Sequence, residues 1–422
     1  MRGAVAAAAL ALLVPAAAQA GTVSVYVPPC APEQSKYGAC YPDEARFTAA
    51  DGELNKVTIT RATEPPSFQP QVTIKDGGAP VKAGGGCTQV DDHTATCTGY
   101  NVVAIVAAGD GDDAVSGPAS VDGGAGDDVL TGGSVEQGGA GDDTLVGSDT
   151  GAQLDGGPGR DRINGGPGAD TITDAANAGE QDVVDGGDGG DVMSYAGRKA
   201  AVTVSLQQPL AGEDQLSAIE SLRGGDGNDW LTGDAGPNTL DGGRGRDLLV
   251  GGDGDDTLAG GEDADALEGG AGDDKLDPGE DKARNKVGCG SGEDHADPRP
   301  NTLIAPDCEV IGIDDFDLGG VVRLHLPLAS RRAALLTLDP LGCIDLPCTV
   351  RMTVTAKHRV IGQVRAVQRT KRRKLPDVIP LRLSSAGARM VKRSGPLDAG
   401  IQITVTDGGD RTTSSFRIAL GY

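Results

Sequence analysis

The sequence predicts an all-β fold whose middle part is built from short strands repeated at a fixed interval. From Gly224 to Asp277 the chain runs in unbroken units of nine residues, and the same register recurs over Gly138–Thr173. Glycine contributes 67 of 422 residues, which permits tight turns between strands. Aromatic residues make up only 3% of the chain, too few for several conventional cores. Composition alone fits disorder, but the periodicity favours a repeat structure.

The first twenty residues have the features of a secretory signal. Arg2 supplies a positive start, Ala4–Val14 form a short apolar stretch, and Ala18-Gln19-Ala20 is a small-x-small cleavage site. A membrane anchor is the alternative, but the run is short and rich in alanine, and no later segment approaches transmembrane length. We therefore expect residues 1–20 to be removed and the protein to be secreted, with cleavage near Ala20.

Eight cysteines, an even number, suit an oxidising compartment. Proximity in the sequence suggests the disulfides Cys30–Cys40, Cys87–Cys97, Cys289–Cys308 and Cys343–Cys348. A zinc site is the alternative, but the chain has no CxxC pair and its four histidines are scattered.

Charge is distributed unevenly along the chain. The net formal charge is −25, but residues 108–277 contain 37 acidic and 8 basic residues, a net charge of −29. Such a segment attracts cations and repels nucleic acid and anionic lipid. Residues 315–422 contain 18 basic and 8 acidic residues, a net charge of +10.

Each repeat follows the pattern glycine, glycine, x, glycine, x, aspartate, x, aliphatic, x. GGAGDDTLV at 138–146 and GGDGDDTLA at 251–259 are examples, and shorter matches extend the series from Ala108 to Asp297. Glycines at positions one, two and four allow left-handed conformations and leave carbonyl groups free to point inward. The aspartate at position six adds a hard anionic oxygen beside them, which is the ligand set that Ca²⁺ prefers. The aliphatic residue at position eight belongs to a short strand and points into a thin core.

This pattern resembles the haemolysin-type (RTX) calcium-binding repeat. The resemblance implies a parallel β-roll, a calcium-binding β-solenoid, in which two nonapeptides form one coil and units n and n+2 stack on the same edge. It places Asp229, Asp247 and Asp265 on one edge and Asp256, Asp274 and Asp294 on the other. In the earlier block Asp113, Asp128, Asp143, Asp161 and Asp182 share an edge, with Asp170 and Asp191 opposite. These thirteen aspartates are the predicted metal ligands; Asn238 and Ala152 at position six break the pattern.

The structural role of calcium follows from charge. Stacked carboxylates repel one another until a cation neutralises them, so metal binding and folding are expected to be coupled. In the first coils only six residues separate successive nonapeptides, for example Gly117–Asp122. If Val121 and Val135 point inward, the turns on that edge are too short to bind calcium, and metal is expected on one edge only.

The predicted domains are a small N-terminal β cap at 21–107, the β-roll at 108–311 and a C-terminal immunoglobulin-like β-sandwich at 315–422. Residues 195–223 interrupt the repeats and are expected to form a long loop insertion between two stretches of the roll, within which Val202–Leu206 alternates like a strand and Ala218–Leu222 could form another rung. A ligand-binding role for that loop is the alternative.

Enzymatic motifs are missing from the sequence. It contains no HExxH and no GxSxG, and calcium turns account for its acidic pairs. We expect a non-enzymatic, calcium-stabilised surface-binding, matrix-binding or structural protein. An extracellular hydrolase with an unrecognised site is the alternative. The TKRRK run at 370–374 is interpreted first as a solvated hairpin tip. The alternative is that the basic C-terminal domain binds an anionic glycan or a cell-envelope component.

Overall fold

A computed structural model describes residues 21–26, 44–50, 52–63, 70–98, 103–174, 181–207, 214–279, 283–297, 302–305, 307–308, 310–313, 322–325, 333–338, 348–356, 359–368, 378–382, 397–407 and 410–420. Within these residues the regular elements are β-strands, and no helix occurs. The predicted signal segment, Cys30, Cys40, Cys343 and the run 370–374 lie outside them. The chain divides into two compact units, residues 1–144 and 145–422.

Strands in and at the end of the first unit are short and closely spaced. They are β1 (Gly21–Tyr26), β2 (Glu44–Thr48), β3 (Lys56–Thr63), β4 (Pro70–Asp76), β5 (Val81–Ala83), β6 (Cys87–Asp91), β7 (Thr94–Thr98), β8 (Val103–Asp110), β9 (Ala114–Ser116), β10 (Ala119–Ala125), β11 (Val129–Thr131), β12 (Val135–Ala140) and β13 (Thr144–Val146).

The N-terminal part of the first unit combines a solenoid-like coil with an antiparallel sheet. Strand β2 pairs in parallel with β8, and the start of β3 pairs in parallel with β9, so both strands stack beside the first repeat. On its other side β3 continues into the antiparallel series β4, β7 and β6. The predicted Cys87–Cys97 disulfide joins β6 to β7 and is confirmed.

The first coils have one long and one short turn. Parallel strands β8, β10 and β12 stack with Val106 opposite Val121 and Val121 opposite Glu136. Only Gly117 and Pro118 separate β9 from β10, as the spacing predicts. The prediction that Val135 points inward is wrong: a spacing of fifteen residues places Glu136 opposite Val121. Glu136 is fully buried, and its Oε1 accepts a hydrogen bond of 2.7 Å from the Gly133 N–H.

The second unit contains two series of short parallel strands followed by longer antiparallel ones. The parallel series are β14 (Gln153–Asp155), β15 (Arg162–Pro167), β16 (Thr171–Thr173), β17 (Val183–Asp188), β18 (Val192–Ser194), β19 (Thr203–Ser205), β20 (Gln215–Ser217), β21 (Ser221–Arg223), β22 (Trp230–Thr232), β23 (Thr239–Asp241), β24 (Leu248–Asp253), β25 (Thr257–Ala259), β26 (Ala266–Ala271), β27 (Lys275–Asp277), β28 (Lys286–Ser291), β29 (His295–Ala296) and β30 (Leu303–Ile304). The C-terminal strands are β31 (Val310–Ile313), β32 (Val322–His325), β33 (Ala333–Leu338), β34 (Cys348–Ala356), β35 (Arg359–Gln368), β36 (Val378–Arg382), β37 (Leu397–Asp407) and β38 (Asp410–Leu420).

Parallel β-solenoid turns occupy residues 104–304, about ten in all, and occur in both units. Strand β22 pairs with β24 and β23 pairs with β25, so nonapeptides n and n+2 stack as the resemblance implies. The aliphatic residue at position eight points inward throughout. At most 4% of each such side chain is exposed: Leu145, Leu154, Ile163, Ile172, Leu231, Leu240, Leu249, Leu258, Leu267 and Leu276. These residues lie in two rows, one in each series of parallel strands, and together form the thin core.

Residues 195–223 differ from the expected loop because they contain three strands of the coil. Strand β19 pairs with β22, β20 with β17, and β21 with both β18 and β23. Val204 and Leu222 are buried in the same manner as the regular aliphatic column. The segment lacks the glycine pattern yet keeps the inward aliphatic residues, and burial of those residues contributes to the stability of the strands.

The C-terminal strands are antiparallel and form two series. Strand β31 pairs with β32, β32 with β33, and β33 with β36; β35 pairs with β34, β34 with β37, and β37 with β38. The predicted Cys289–Cys308 disulfide ties the last repeat to the segment that follows it, and it is confirmed.

Candidate metal centres

The turns between the short strands have a backbone that requires glycine. In the turn 251–256, Gly252 and Gly254 have φ angles of +119° and +110°, values that residues with a β carbon rarely adopt. Equivalent positive angles occur at Gly124 and Gly126 in the first unit. A β carbon on Gly126 would also overlap the Gly111 carbonyl group of the preceding coil. Successive turns therefore stack backbone against backbone.

Position-six aspartates form ladders along the turns. The backbone N–H of each aspartate donates to Oδ1 of the aspartate one coil later: Asp229 to Asp247 at 2.7 Å, and Asp247 to Asp265 at 2.9 Å. The same bonds join Asp113, Asp128 and Asp143 in the first unit, and Asp161 with Asp182, Asp170 with Asp191, and Asp256, Asp274 and Asp294 in the second. Within each unit the structure thus brings together the residues that the sequence placed on one edge.

The second carboxylate oxygen is buried beside the backbone. Among the described residues, Oδ2 of seven of these aspartates is inaccessible to solvent and accepts no hydrogen bond: Asp113, Asp128, Asp170, Asp191, Asp247, Asp256 and Asp274. A β carbon on Gly242, the first glycine of its turn, would lie 2.5 Å from Asp247 Oδ2 and 2.5 Å from the Gly260 carbonyl oxygen. These two oxygens therefore converge on one small space. Buried oxygens without donors are costly, and a cation would satisfy them.

Burial also raises the pKa of these carboxyls. Desolvation, followed by repulsion from neighbouring carboxylates, raises the pKa of Asp247 and of Asp128 to about 7. The pKa values of Asp143, Asp256 and Asp274 rise to about 6 for the same principal cause. Without a counter-cation, the folded turns disfavour the ionised form that calcium requires.

Three position-six residues depart from the regular turn. Ala152 supplies no side-chain oxygen, although its N–H still donates to Asp170 Oδ1 at 2.5 Å. At Asn238, Oδ1 accepts from the Asp234 N–H at 2.7 Å. At Asp229, Oδ2 accepts from the Gly225 N–H, also at 2.7 Å. In the turns of Asn238 and Asp229, a backbone N–H therefore donates to the side-chain oxygen that has no donor in the regular turns.

Several residues of the ladders were not recognised in the sequence. Asp214, Glu220 and Asn285 accept ladder bonds from Asp182, Asp191 and Asp265 respectively. Asp214 and Asn285 each precede an x-aliphatic-x triplet, which is the signal that could have identified them; the missing glycines concealed it. Asn55 begins the ladder of the first unit, because its N–H donates to Asp113 Oδ1 at 2.6 Å.

A cluster of polar residues lies near the interrupted repeats. Carboxylate oxygens of Asp174, Asp182 and Asp214 all lie within 4.8 Å of one another, and the three residues are buried. Tyr195 donates its hydroxyl hydrogen to Asp214 Oδ2 at 3.0 Å. The Arg198 guanidinium forms a buried ion pair with Asp174.

The RTX calcium-binding nonapeptide repeat family model matches this chain in four copies, at residues 120–134, 137–172, 217–249 and 250–281. No match to a curated protein was found. The matched segments coincide with the coils described above, and the third includes part of the predicted loop. The repeats and the β-solenoid are together those of a calcium-binding repeat protein. This chain therefore contains RTX calcium-binding repeats.

Among the described residues no helix is long and apolar enough to cross a bilayer.

Proposed function

We propose that the position-six aspartates hold Ca²⁺ in the turns and that the ions fold and stabilise the coil. The observation that supports this most directly is the row of buried Oδ2 oxygens beside inward backbone oxygens. Twelve of the predicted ligands fit this role: Asp113, Asp128, Asp143, Asp161, Asp170, Asp182, Asp191, Asp247, Asp256, Asp265, Asp274 and Asp294. Asp229 differs from them, because both of its carboxylate oxygens accept backbone hydrogen bonds.

The chemistry of the donor set favours calcium. The turns offer mainly carboxylate and backbone oxygens, and Ca²⁺ accepts six to eight oxygen ligands in flexible geometry. A bound divalent cation would neutralise the stacked carboxylates and offset their desolvation. At ten times its dissociation constant, each bound ion adds about 1.4 kcal/mol to stability. Several such sites together would determine whether the thin core folds, so the role of calcium is structural.

In its cellular role we propose a secreted, non-enzymatic surface-binding, matrix-binding or structural protein. The signal-like residues 1–20 and the two disulfides, Cys87–Cys97 and Cys289–Cys308, support export. Residues 21–107 would cover the first coil, and residues 315–422 would form a β-sandwich. The net charge of +10 in that C-terminal part suits an anionic glycan or cell-envelope component.

Circular dichroism of the full chain would test the metal's role. We expect the β signal to fall in EDTA and to return with millimolar Ca²⁺. The same concentration of Mg²⁺ should restore less of the signal, because Mg²⁺ demands a stricter octahedral geometry. Identical spectra in EDTA and in calcium would contradict the proposal. Pull-down with anionic glycans, beside a hydrolase substrate panel, would test the cellular role.

A further inference from the structure

The turn closed by Asp229 is built differently from the next turn on the same edge. In the regular turn 242–247, Gly243 and Gly245 have φ angles of +92° and +117°. The corresponding glycines, Gly225 and Gly227, are not among the residues with positive φ. With this backbone, the Gly225 N–H donates to Asp229 Oδ2, and the Val202 N–H donates to Oδ1 at 2.8 Å. Both carboxylate oxygens therefore accept backbone hydrogen bonds.

In the adjoining turns, too, a backbone N–H lies where the regular turns would bind a cation. In the turn 233–238, the Asp234 N–H takes the position facing Asn238 Oδ1. One coil before Asp229, the ladder donor is the N–H of Val202, whose buried side chain offers no oxygen. The Asp226 N–H bonds to the Arg198 carbonyl oxygen at 2.7 Å, so residues 195–202 replace a glycine turn above 224–229.

A buried arginine supplies positive charge to the nearby acidic cluster. Only 7% of Arg198 is exposed. Its guanidinium pairs with Asp174, and Nε donates to the Asp174 carbonyl oxygen at 3.2 Å. The guanidinium carbon lies 4.9 Å from the centre of the Tyr195 ring. Tyr195 in turn donates to Asp214, so Asp174 and Asp214 both have protein partners.

The apolar core also contains two large side chains here. Tyr195 and Met193 are fully buried and are among the largest side chains of the interior. Elsewhere in the coil the interior holds mainly single leucines and isoleucines. Larger buried side chains provide more hydrophobic stabilisation for each residue ordered.

From these observations we infer that residues 193–207 and 214–241, together called the central segment, fold without calcium and form the nucleus on which the calcium-dependent coils assemble. Arg198 takes the place of a metal ion at Asp174, and backbone N–H groups take that place at Asp229 and Asn238. The inference rests on the proposed function, because it assigns calcium dependence to the flanking turns alone.

Hydrogen–deuterium exchange of the full chain in EDTA tests this directly. We expect amides of β18, β21, β22 and β23 to exchange at least about tenfold more slowly than those of β9, β11, β25 and β27. Added calcium should slow exchange in the flanking strands. If the central strands exchange as fast as the flanking strands in EDTA while calcium still protects the flanking strands, the inference is wrong but the proposed function stands. If calcium slows exchange nowhere, the proposed function fails as well.

Matched variants of Arg198 test whether its positive charge is what stabilises the central segment. Arg198→Met should remove the protection of the central segment in EDTA, whereas Arg198→Lys should retain most of it. Arg244→Met, at an arginine whose side chain is 64% exposed, is the control and should have no effect. Protection in Arg198→Met equal to that of the parent protein would refute the role of Arg198.

Calcium stoichiometry provides a second test, which remains available if Arg198→Met does not fold. By isothermal titration calorimetry, Asp247→Asn should lower the number of bound ions by at least one. Asp229→Asn should leave that number unchanged, because backbone donors already occupy its oxygens. Equal losses in the two variants would overturn the assignment of a metal-free turn at Asp229.

Discussion

A single β carbon at the first glycine of a turn should remove one calcium site. The change is Gly242→Ala, which introduces no charge and alters no ligand side chain. In the structure this β carbon would lie 2.5 Å from both Asp247 Oδ2 and the Gly260 carbonyl oxygen. Contacts that short force one of the oxygens to move, so the methyl group fills the space that the cation would need.

The expected magnitude has two parts. Loss of one site costs about 1.4 kcal/mol when calcium is at ten times its dissociation constant, and about 2.7 kcal/mol at one hundred times. Overpacking a close contact adds roughly 1–3 kcal/mol, and this second part is present with or without calcium. The difference between the two conditions therefore isolates the metal.

The matched control is Gly288→Ala. Gly288 has no positive φ, and a β carbon there would meet nothing closer than the Leu267 carbonyl oxygen at 3.9 Å. Thermal unfolding of both variants and the parent, in 10 mM Ca²⁺ and in EDTA, gives the comparison. Gly242→Ala should lose more stability in calcium than in EDTA, while Gly288→Ala should change little in either. An equal loss for Gly242→Ala in both conditions would show that the space does not hold an ion.

Three further predictions concern pH, the disulfide and the first coils. In EDTA the coil should become less stable as pH rises from about 4 to 7, because the raised pKa values of Asp128 and Asp247 mean that the folded state binds protons which the unfolded state has released. Saturating calcium at pH 7.5 should restore the stability, and thermal melts that are independent of pH in EDTA would contradict the prediction. Replacing both Cys289 and Cys308 by serine should lower the free energy of unfolding by about 3 kcal/mol in denaturant titrations, with fraying that begins at β29 and β30. Peptide mapping that joined Cys289 to another cysteine would refute the pairing. A calcium-soaked crystal should show metal only on the long-turn edge before Gly138, since the short turn has just two residues between β9 and β10, and metal on both edges would prove this wrong.

The sequence by itself determined the repeated part of this protein. The nonapeptide repeat requires glycine at fixed positions, a side-chain oxygen at position six and an aliphatic residue at position eight. Each of these requirements is local. For that reason the inward leucines, the sharing of edges within each unit, the short first turns and two disulfides could all be predicted.

Only the tertiary structure decided the parts where strand pairing overrides the local pattern. Glu136 rather than Val135 is inward, because the neighbouring strand fixes the register and a shift of one residue reverses every side chain. The segment 195–223 continues the coil without the glycine pattern, because its aliphatic residues bury against the strands before and after it. Asp229 looks like a regular ligand in the sequence. Its turn is different because residues 195–202 lie against it and direct backbone N–H groups at both of its oxygens, a contact between distant residues that no nine-residue pattern can contain.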